Sequence, residues 1–240
     1  MDLPGISSLE VHRSLPSTNE RAKEWIREGV RPVAMVVAGE QTRGRGRGGS
    51  RWVSRAGSGL YVSAVVEGGD PALDRLVPLR TGLALAARLD AMPGRSNREP
   101  IRLKWPNDLF YQGGKVGGIL CESLAGRVVV GVGLNCSVPE VDAPYPASAL
   151  EGTEPESLLP LVAEAILEST GCGESGLTTS EIAVWRSRDL LLGSEVVALG
   201  GVRGRVQGID PRGRLLVAEP GGRIRAMMSG SVRPLEQYSS

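Results

Sequence analysis

With 240 residues, 41% of them hydrophobic and 23% charged, the chain has room for one large domain or a domain with a small appendage. No apolar run approaches the roughly 20 residues of a membrane span, and the N-terminus shows no signal peptide, so a cytoplasmic protein is expected. A formal net charge of +1 excludes a polycation. One histidine, His12, and three unclustered cysteines argue against a zinc site and against Ser-His or Cys-His nucleophile chemistry.

In chain order, Ser17-Thr18-Asn19 precedes ERAKEWIREG, whose apolar residues suit a helix ending at Gly29, with any of the three as N-cap. Residues 32–40 read as a buried strand, and residues 41–52, QTRGRGRGGSRW, carry no hydrophobic periodicity. Alternating Gly and Arg at 44–49 offers exposed N–H groups and guanidinium forks, which suit phosphate. Three readings compete: a solvated loop, an RNA contact of the RGG kind, or a lid over an anionic ligand. The RNA reading expects repeats and interleaved aromatics, whereas a single short loop ending in Trp52 favours the lid.

Residues 59–66 alternate as a strand, 72–92 read as one long amphipathic helix, and 101–105 as a strand broken by Pro106. Lys104-Trp105-Pro106-Asn107-Asp108 closes that strand with a cation, an aromatic ring, a fixed turn, an amide and a carboxylate. Ligands gather at strand ends of α/β sheets, an amide can read a purine edge, and a carboxylate can help hold Mg²⁺. The alternative is a plain turn. Next, paired glycines flank Lys115 in GGKVGGIL, without the spacing of a Walker loop. Here the alternative is a glycine hairpin turn, which leaves Lys115 unexplained. Residues 116–123 and 127–135 read as a hairpin ending on Asn135, followed by helices at about 155–170 and 179–191. From Gly193 onward, short strands alternate with Gly and Pro, and Asp210-Pro211-Arg212-Gly213 is a strong turn. This texture suggests a small antiparallel barrel and a boundary near residue 192. Of 28 basic residues only Lys23, Lys104 and Lys115 are lysines, and two of these fall in the Gly-rich stretches. Lysine is a point charge and arginine a planar fork, so the choice matters where geometry does.

Taken together, STN (17–19), GEQTRGRGRGGSRW (39–52), KWPND (104–108), GGKVGGILCE (113–122) and GVGLN (131–135) resemble the bacterial biotin–protein ligases over about residues 9–238. KWPND followed by GGKxGGI is the specific pairing. The resemblance implies an α/β catalytic domain at residues 1–192, with a central mixed sheet flanked by helices as in class II aminoacyl-tRNA synthetases. It implies a small SH3-like β-barrel at residues 193–240. The implied reaction is ATP-dependent formation of biotinyl-5′-AMP, with Mg²⁺, then transfer of biotin to a lysine of the biotin carboxyl carrier domain of a carboxylase. By motif, Ser17, Thr18, Asn19 and Gln41 would contact biotin, and Arg45, Gly46 and Arg47 would lie on biotin and the activated phosphate. Lys104, Trp105, Asn107 and Asn135 would serve the nucleotide. Lys115 would sit between the biotin carboxylate and the α-phosphate, making Arg47 and Lys115 the catalytic pair, and Asp108 would help hold Mg²⁺ through ATP.

STN at residue 17 leaves no room for the N-terminal winged helix of some members, so no DNA-binding domain is expected; the resemblance allows a homodimer. The rival within the superfamily is a lipoate or octanoate ligase, whose RRxSGGG-type motif is missing. A nucleic-acid-binding protein using the RGRGRGG loop is disfavoured by near-zero net charge. Two positions depart from the family pattern. Gly48 stands where a further arginine is common, which lowers the loop charge. Ser231 stands where an acidic residue is common, so no nucleotide contact is expected from the C-terminal segment, and the biotin pocket is expected to lie wholly within residues 17–135.

Overall fold

A computed structural model describes residues 3–94, 98–141 and 145–235. The outermost positions of both expected domains, and residues 236–238 of the resemblance, lie outside the described residues. The chain begins with β1 (Ser8–His12), α1 (Thr18–Arg27), β2 (Ala34–Ala38) and β3 (Gly59–Glu67). Then come a one-turn helix α2 (Pro71–Asp74), α3 (Val77–Asp90), β4 (Arg102–Lys104), β5 (Asp108–Tyr111), β6 (Gly114–Leu124) and β7 (Arg127–Asn135). Two helices follow, α4 (Leu159–Thr170) and α5 (Thr179–Arg188), the latter opened by a reciprocal Thr178/Glu181 capping box.

These strands form a seven-stranded sheet in the order β1-β2-β3-β7-β6-β5-β4, with β1 parallel to β2 and every other pair antiparallel. A mixed sheet with helices on both faces needs apolar residues on both sides of its central strands. Strands β2 and β7 supply them in nearly unbroken runs, AMVVA and RVVVGVGLN. Ala22 and Trp25 of α1 pack one face against Ala34, Val36, Val65 and Val129. On the other face α3 and α4 cover Leu60, Val62, Ile119 and Val130.

The continuous helix expected over 72–92 is split. Asp70 caps α2 through Ala72 N–H at 2.7 Å, and Pro78 has no N–H to offer the Asp74 carbonyl. The stretch at 155–158 is a 3₁₀ turn leading into α4.

The last segment folds into a second, five-stranded antiparallel sheet from β8 (Glu195–Ala198), β9 (Val202–Ile209), β10 (Leu215–Ala218), β11 (Ile224–Met227) and β12 (Val232–Pro234). Its order is β11-β10-β9-β8-β12. Its core is continuous with that of the large sheet: Val196, Val206, Leu215, Val217 and Val232 belong to one buried cluster with Leu76, Leu79, Trp105 and Trp185. The 210–213 turn is the point of insertion. Gly213 O accepts the buried Trp105 indole N–H at 3.0 Å, and Pro211 O accepts Leu177 N–H at 2.7 Å. Among the described residues no helix is long and apolar enough to cross a membrane.

Candidate active site

On the face of the large sheet that α1 crosses, β6 and β7 carry almost no side chains where they meet. A Cβ on Gly131 would stand 2.1 Å from Asn19 Oδ1, and one on Gly133 would stand 2.7 Å from the Trp52 indole. At either distance an added side chain must displace its neighbour, so glycine lets Asn19 and Trp52 lie against the sheet. Around this bare floor, the start of α1, the 41–53 loop and residues 104–108 enclose a cavity of about 990 Å³, a volume suited to small ligands. Leu199 and residues 229–233 of the C-terminal sheet complete the wall. The residues expected to contact biotin line this cavity from within 17–135, and the shared core carries the β12 end onto the same cavity, where Tyr145 Oη donates to Val232 O at 2.9 Å.

Two groups of side chains line the space. The first is a neutral hydrogen-bonding array. Gln41 Oε1 accepts from Thr18 N at 2.9 Å and Thr18 Oγ1 at 3.1 Å, while Gln41 Nε2 donates to Ser54 Oγ at 2.8 Å. Ser63 Oγ stands 2.7 Å from Thr18 Oγ1 and 2.6 Å from Asn19 Oδ1. Asn19 Nδ2 in turn donates to Glu122 Oε2 at 2.8 Å. Ser17 is buried at the N-cap of α1 yet its side chain makes no capping bond, so its hydroxyl is left to the cavity it lines. Threonine, asparagine and glutamine in such an array hold both donors and acceptors in fixed places, which suits a neutral polar ligand head.

The second group is cationic. Lys115 Nζ lies 2.6 Å from Asp108 Oδ1 and 5.3 Å from the centre of the Trp52 ring. Lys104 Nζ lies 4.0 Å from Asp108 Oδ2 and over the Tyr145 ring at 4.6 Å. Burial pushes Lys104 down to about 8; Asp108 opposes the fall, and the charges of Lys115, Arg47 and Arg233 add to it. Arg47 donates to Asn107 Oδ1 at 3.3 Å. Lys104 and Lys115 therefore share one carboxylate, and with Arg47 and Arg233 on the same cavity wall they present positive charge to a polyanion. Among the described residues no three His, Cys, Asp or Glu side chains cluster as metal ligands. Both Asp108 oxygens face ammonium groups, so Asp108 anchors the two lysines.

The structure brings Ser17, Thr18, Asn19, Gln41, Arg45, Gly46, Arg47, Lys104, Asn107, Asp108, Lys115 and Asn135 to this one cavity. Asn107 is pinned to β6, its Nδ2 donating to Ile119 O at 2.6 Å. Asn135 braces the wall by donating to Ser148 O at 3.0 Å and Lys115 O at 3.3 Å. Trp105 is the exception, and its expected nucleotide contact is corrected: 1% exposed, it points away from its neighbour Lys104 into the core and ties the C-terminal sheet. Sequence reasoning missed Ser63 and Glu122, whose partners are 44 and 103 positions away; a lone serine in GLYVSAVVE was the only signal for the first.

The biotin/lipoate A/B protein ligase family matches residues 11–138, and the biotin protein ligase C terminal domain matches residues 191–233. The biotin–[acetyl-CoA-carboxylase] ligase of Paracoccus denitrificans is 33% identical over 232 residues, 86% of this chain and 92% of that one. Its Mycobacterium tuberculosis counterpart is 34% identical over 211 residues, 82% of this chain and 77% of that one. Among solved structures, the biotin protein ligase of Aquifex aeolicus in complex with biotin and ATP superposes with a TM-score of 0.80 at 30% identity, covering 95% of this chain and all of that one. With both of its sheets matched and a cavity whose walls come from each, the chain belongs to the biotin protein ligases of the biotin/lipoate A/B protein ligase family.

Proposed function

We infer that the chain activates biotin with ATP as biotinyl-5′-AMP and transfers the biotinyl group to a lysine of a biotin carboxyl carrier domain. The observation that carries this reading is the division of one cavity into a neutral hydrogen-bonding array and a group of cations, two of them held by Asp108. The array of Ser17, Thr18, Asn19 and Gln41 suits the uncharged ureido head of biotin. Arg47, Lys104 and Lys115 suit the phosphates, with Asn107 and Asn135 holding the walls between them. In the first step a biotin carboxylate oxygen attacks the α-phosphorus, the bond to the bridging oxygen breaks, and pyrophosphate leaves with its electron pair. Negative charge moves toward the leaving group, and preorganised cations stabilise that shift without reorganising. Lys115, held by Asp108, is assigned to the charge between the carboxylate and the α-phosphate, and Arg47 to the phosphate from the loop side. In the second step the acceptor amine attacks the acyl carbon, AMP leaves, and the amine gives up a proton. No protein nucleophile takes part.

The two matched segments support a catalytic domain at about residues 1–192 and a C-terminal domain at 193–240. We assign the first a class II synthetase-like arrangement and the second an SH3-like barrel, in a cytoplasmic enzyme, monomeric or homodimeric. The test is exchange of labelled pyrophosphate into ATP. Biotin should stimulate it and lipoate should not; stimulation by lipoate alone would move the chain to the lipoate branch.

A further inference from the structure

The loop over the cavity is a closed hairpin rather than a slack tether. Trp52 N–H donates to Gly44 O at 3.0 Å and Gly46 N–H to Ser50 O at 2.7 Å, with a 3₁₀ turn, Arg47–Gly49, at the tip. A hairpin so braced moves as one piece, and whatever grips it at one residue places all of it. At the tip the grip is weak, a single bond from Arg47 to Asn107 at 3.3 Å. At its base the grip is ionic. Arg45 pairs with Glu20 of α1, and its second nitrogen lies 3.7 Å from Glu122 of β6. Lys23 closes the ring, 3.1 Å from Glu20 and 2.7 Å from Glu122, while the other oxygen of Glu122 takes Asn19 Nδ2. Two acids and two bases from three elements thus form a neutral ring beside the ligand array. Although burial works to raise the Glu122 carboxyl, bonds from Asn19 and Lys23 and the charge of Arg45 hold it below the usual carboxylate range, so it stays ionised.

We propose that Glu20 and Glu122 are positioning residues that clasp Arg45 and so seat the 44–52 hairpin over the cavity, keeping an activated acyl intermediate from escaping before transfer. The Arg45 side chain is thereby assigned to holding the loop, and anion contact from the loop falls to Arg47. The retention half of the proposal rests on the ligase reading; the seating half does not.

The alternative is a solvated surface network of no consequence, since exposed pairs are often worth little and Arg45 and Glu20 have 46% and 41% exposed side chains. Two measurements separate them, on the full-length protein and on the Glu20→Gln/Glu122→Gln variant. The first is backbone amide hydrogen exchange across residues 44–52 without ligands. It should quicken in the variant, and in the unaltered protein it should quicken with added salt, because screening weakens the clasp. The second is labelling of added albumin in the presence of biotin and ATP, with no carrier, divided by pyrophosphate exchange. That ratio should rise severalfold in the variant. Unchanged amide exchange in the variant overturns the clasp whatever the activity. Faster amide exchange with an unchanged labelling ratio overturns its role in retention. Absence of biotin-dependent pyrophosphate exchange in the unaltered protein overturns the ligase reading and leaves the clasp to be judged by amide exchange. Should the double variant fail to fold, Glu20→Gln alone, at a half-exposed position, carries both measurements.

Discussion

Among single residues, Lys115 bears the most specific expectation. Its ammonium sits between Asp108 and the Trp52 ring, on the cavity wall rather than in the core. Lys115→Ala should leave the thermal unfolding temperature nearly unchanged and slow biotin-dependent pyrophosphate exchange by on the order of a hundredfold, a typical loss for one preorganised charge. Lys115→Arg should also be slow, because a planar fork cannot take the place of a point charge 2.6 Å from Asp108. Exchange at the unaltered rate in either variant would remove Lys115 from the chemistry. Glu10 provides a test of pH dependence outside the site. Its bond from the Arg21 guanidinium, supported by His12, brings it down from 4.5 to about 2 against the opposing effect of burial, and it also accepts the Trp25 indole N–H at 3.1 Å. A carboxylate whose folded value is depressed stabilises the fold above its unfolded value and loses that contribution as pH falls toward the folded one. The stability difference between the unaltered protein and Glu10→Gln, from thermal unfolding, should therefore be full above about pH 5 and shrink toward pH 2; a difference constant over that range would refute the ion pair. At this scale the sequence was legible where motif residues point the same way and illegible where they alternate. Lys104 and Trp105 are adjacent in one motif, yet Lys104 lines the cavity while Trp105, just past the end of β4, is buried and bonds Gly213 O. Ser63 and Glu122 act on Asn19 only because three strands bring them there.

The elements were readable wherever local chemistry settled them. The Gly-rich hairpin of β6 and β7, the helix after Ser17 and the turn at 210–213 follow from periodicity and turn residues within each segment. What escaped were elements decided by longer contacts or by one residue. Strand β5 is four residues between a proline turn and a glycine turn, and only pairing with β4 and β6 makes it a strand. The 41–52 loop carries no hydrophobic periodicity because it packs on glycines rather than into a core, and its internal bonding is not written in its composition. The close approach of α1 to the same glycine floor can be tested at Gly131. Adding one methyl there must displace the Asn19 carboxamide, breaking its contacts to Ser63 and Glu122. Two lost polar contacts should raise KM for biotin on the order of tenfold or more, with kcat and KM for ATP affected far less. If Gly131→Ala leaves KM for biotin unchanged in steady-state exchange assays, the array does not hold biotin.

At the scale of the whole molecule, the boundary near residue 192 is a change of architecture without a break in the core. One apolar cluster runs from α3 and α4 through Trp105 into the inner face of the C-terminal sheet, and the buried Trp105–Gly213 hydrogen bond stitches it. The two parts should therefore unfold together: tryptophan fluorescence and far-ultraviolet circular dichroism should give coincident thermal transitions, whereas two resolved transitions would show that the cores are separable. The surface has a consequence of another kind. All three lysines are held against carboxylates, Lys23 by Glu20 and Glu122, and Lys104 and Lys115 by Asp108, with side chains only 15%, 6% and 30% exposed. The remaining basic residues are arginines, whose guanidinium stays protonated and does not form amides under ordinary aqueous conditions. An enzyme that makes an acyl donor reactive toward amines thus offers it almost none of its own, so its product meets the carrier's lysine with little competition from the surface that made it. Treated with an amine-reactive ester, Lys23, Lys104 and Lys115 should react more slowly in the native protein than in urea, as read by peptide mass spectrometry; equal rates would mean that these ammonium groups are not shielded by the fold.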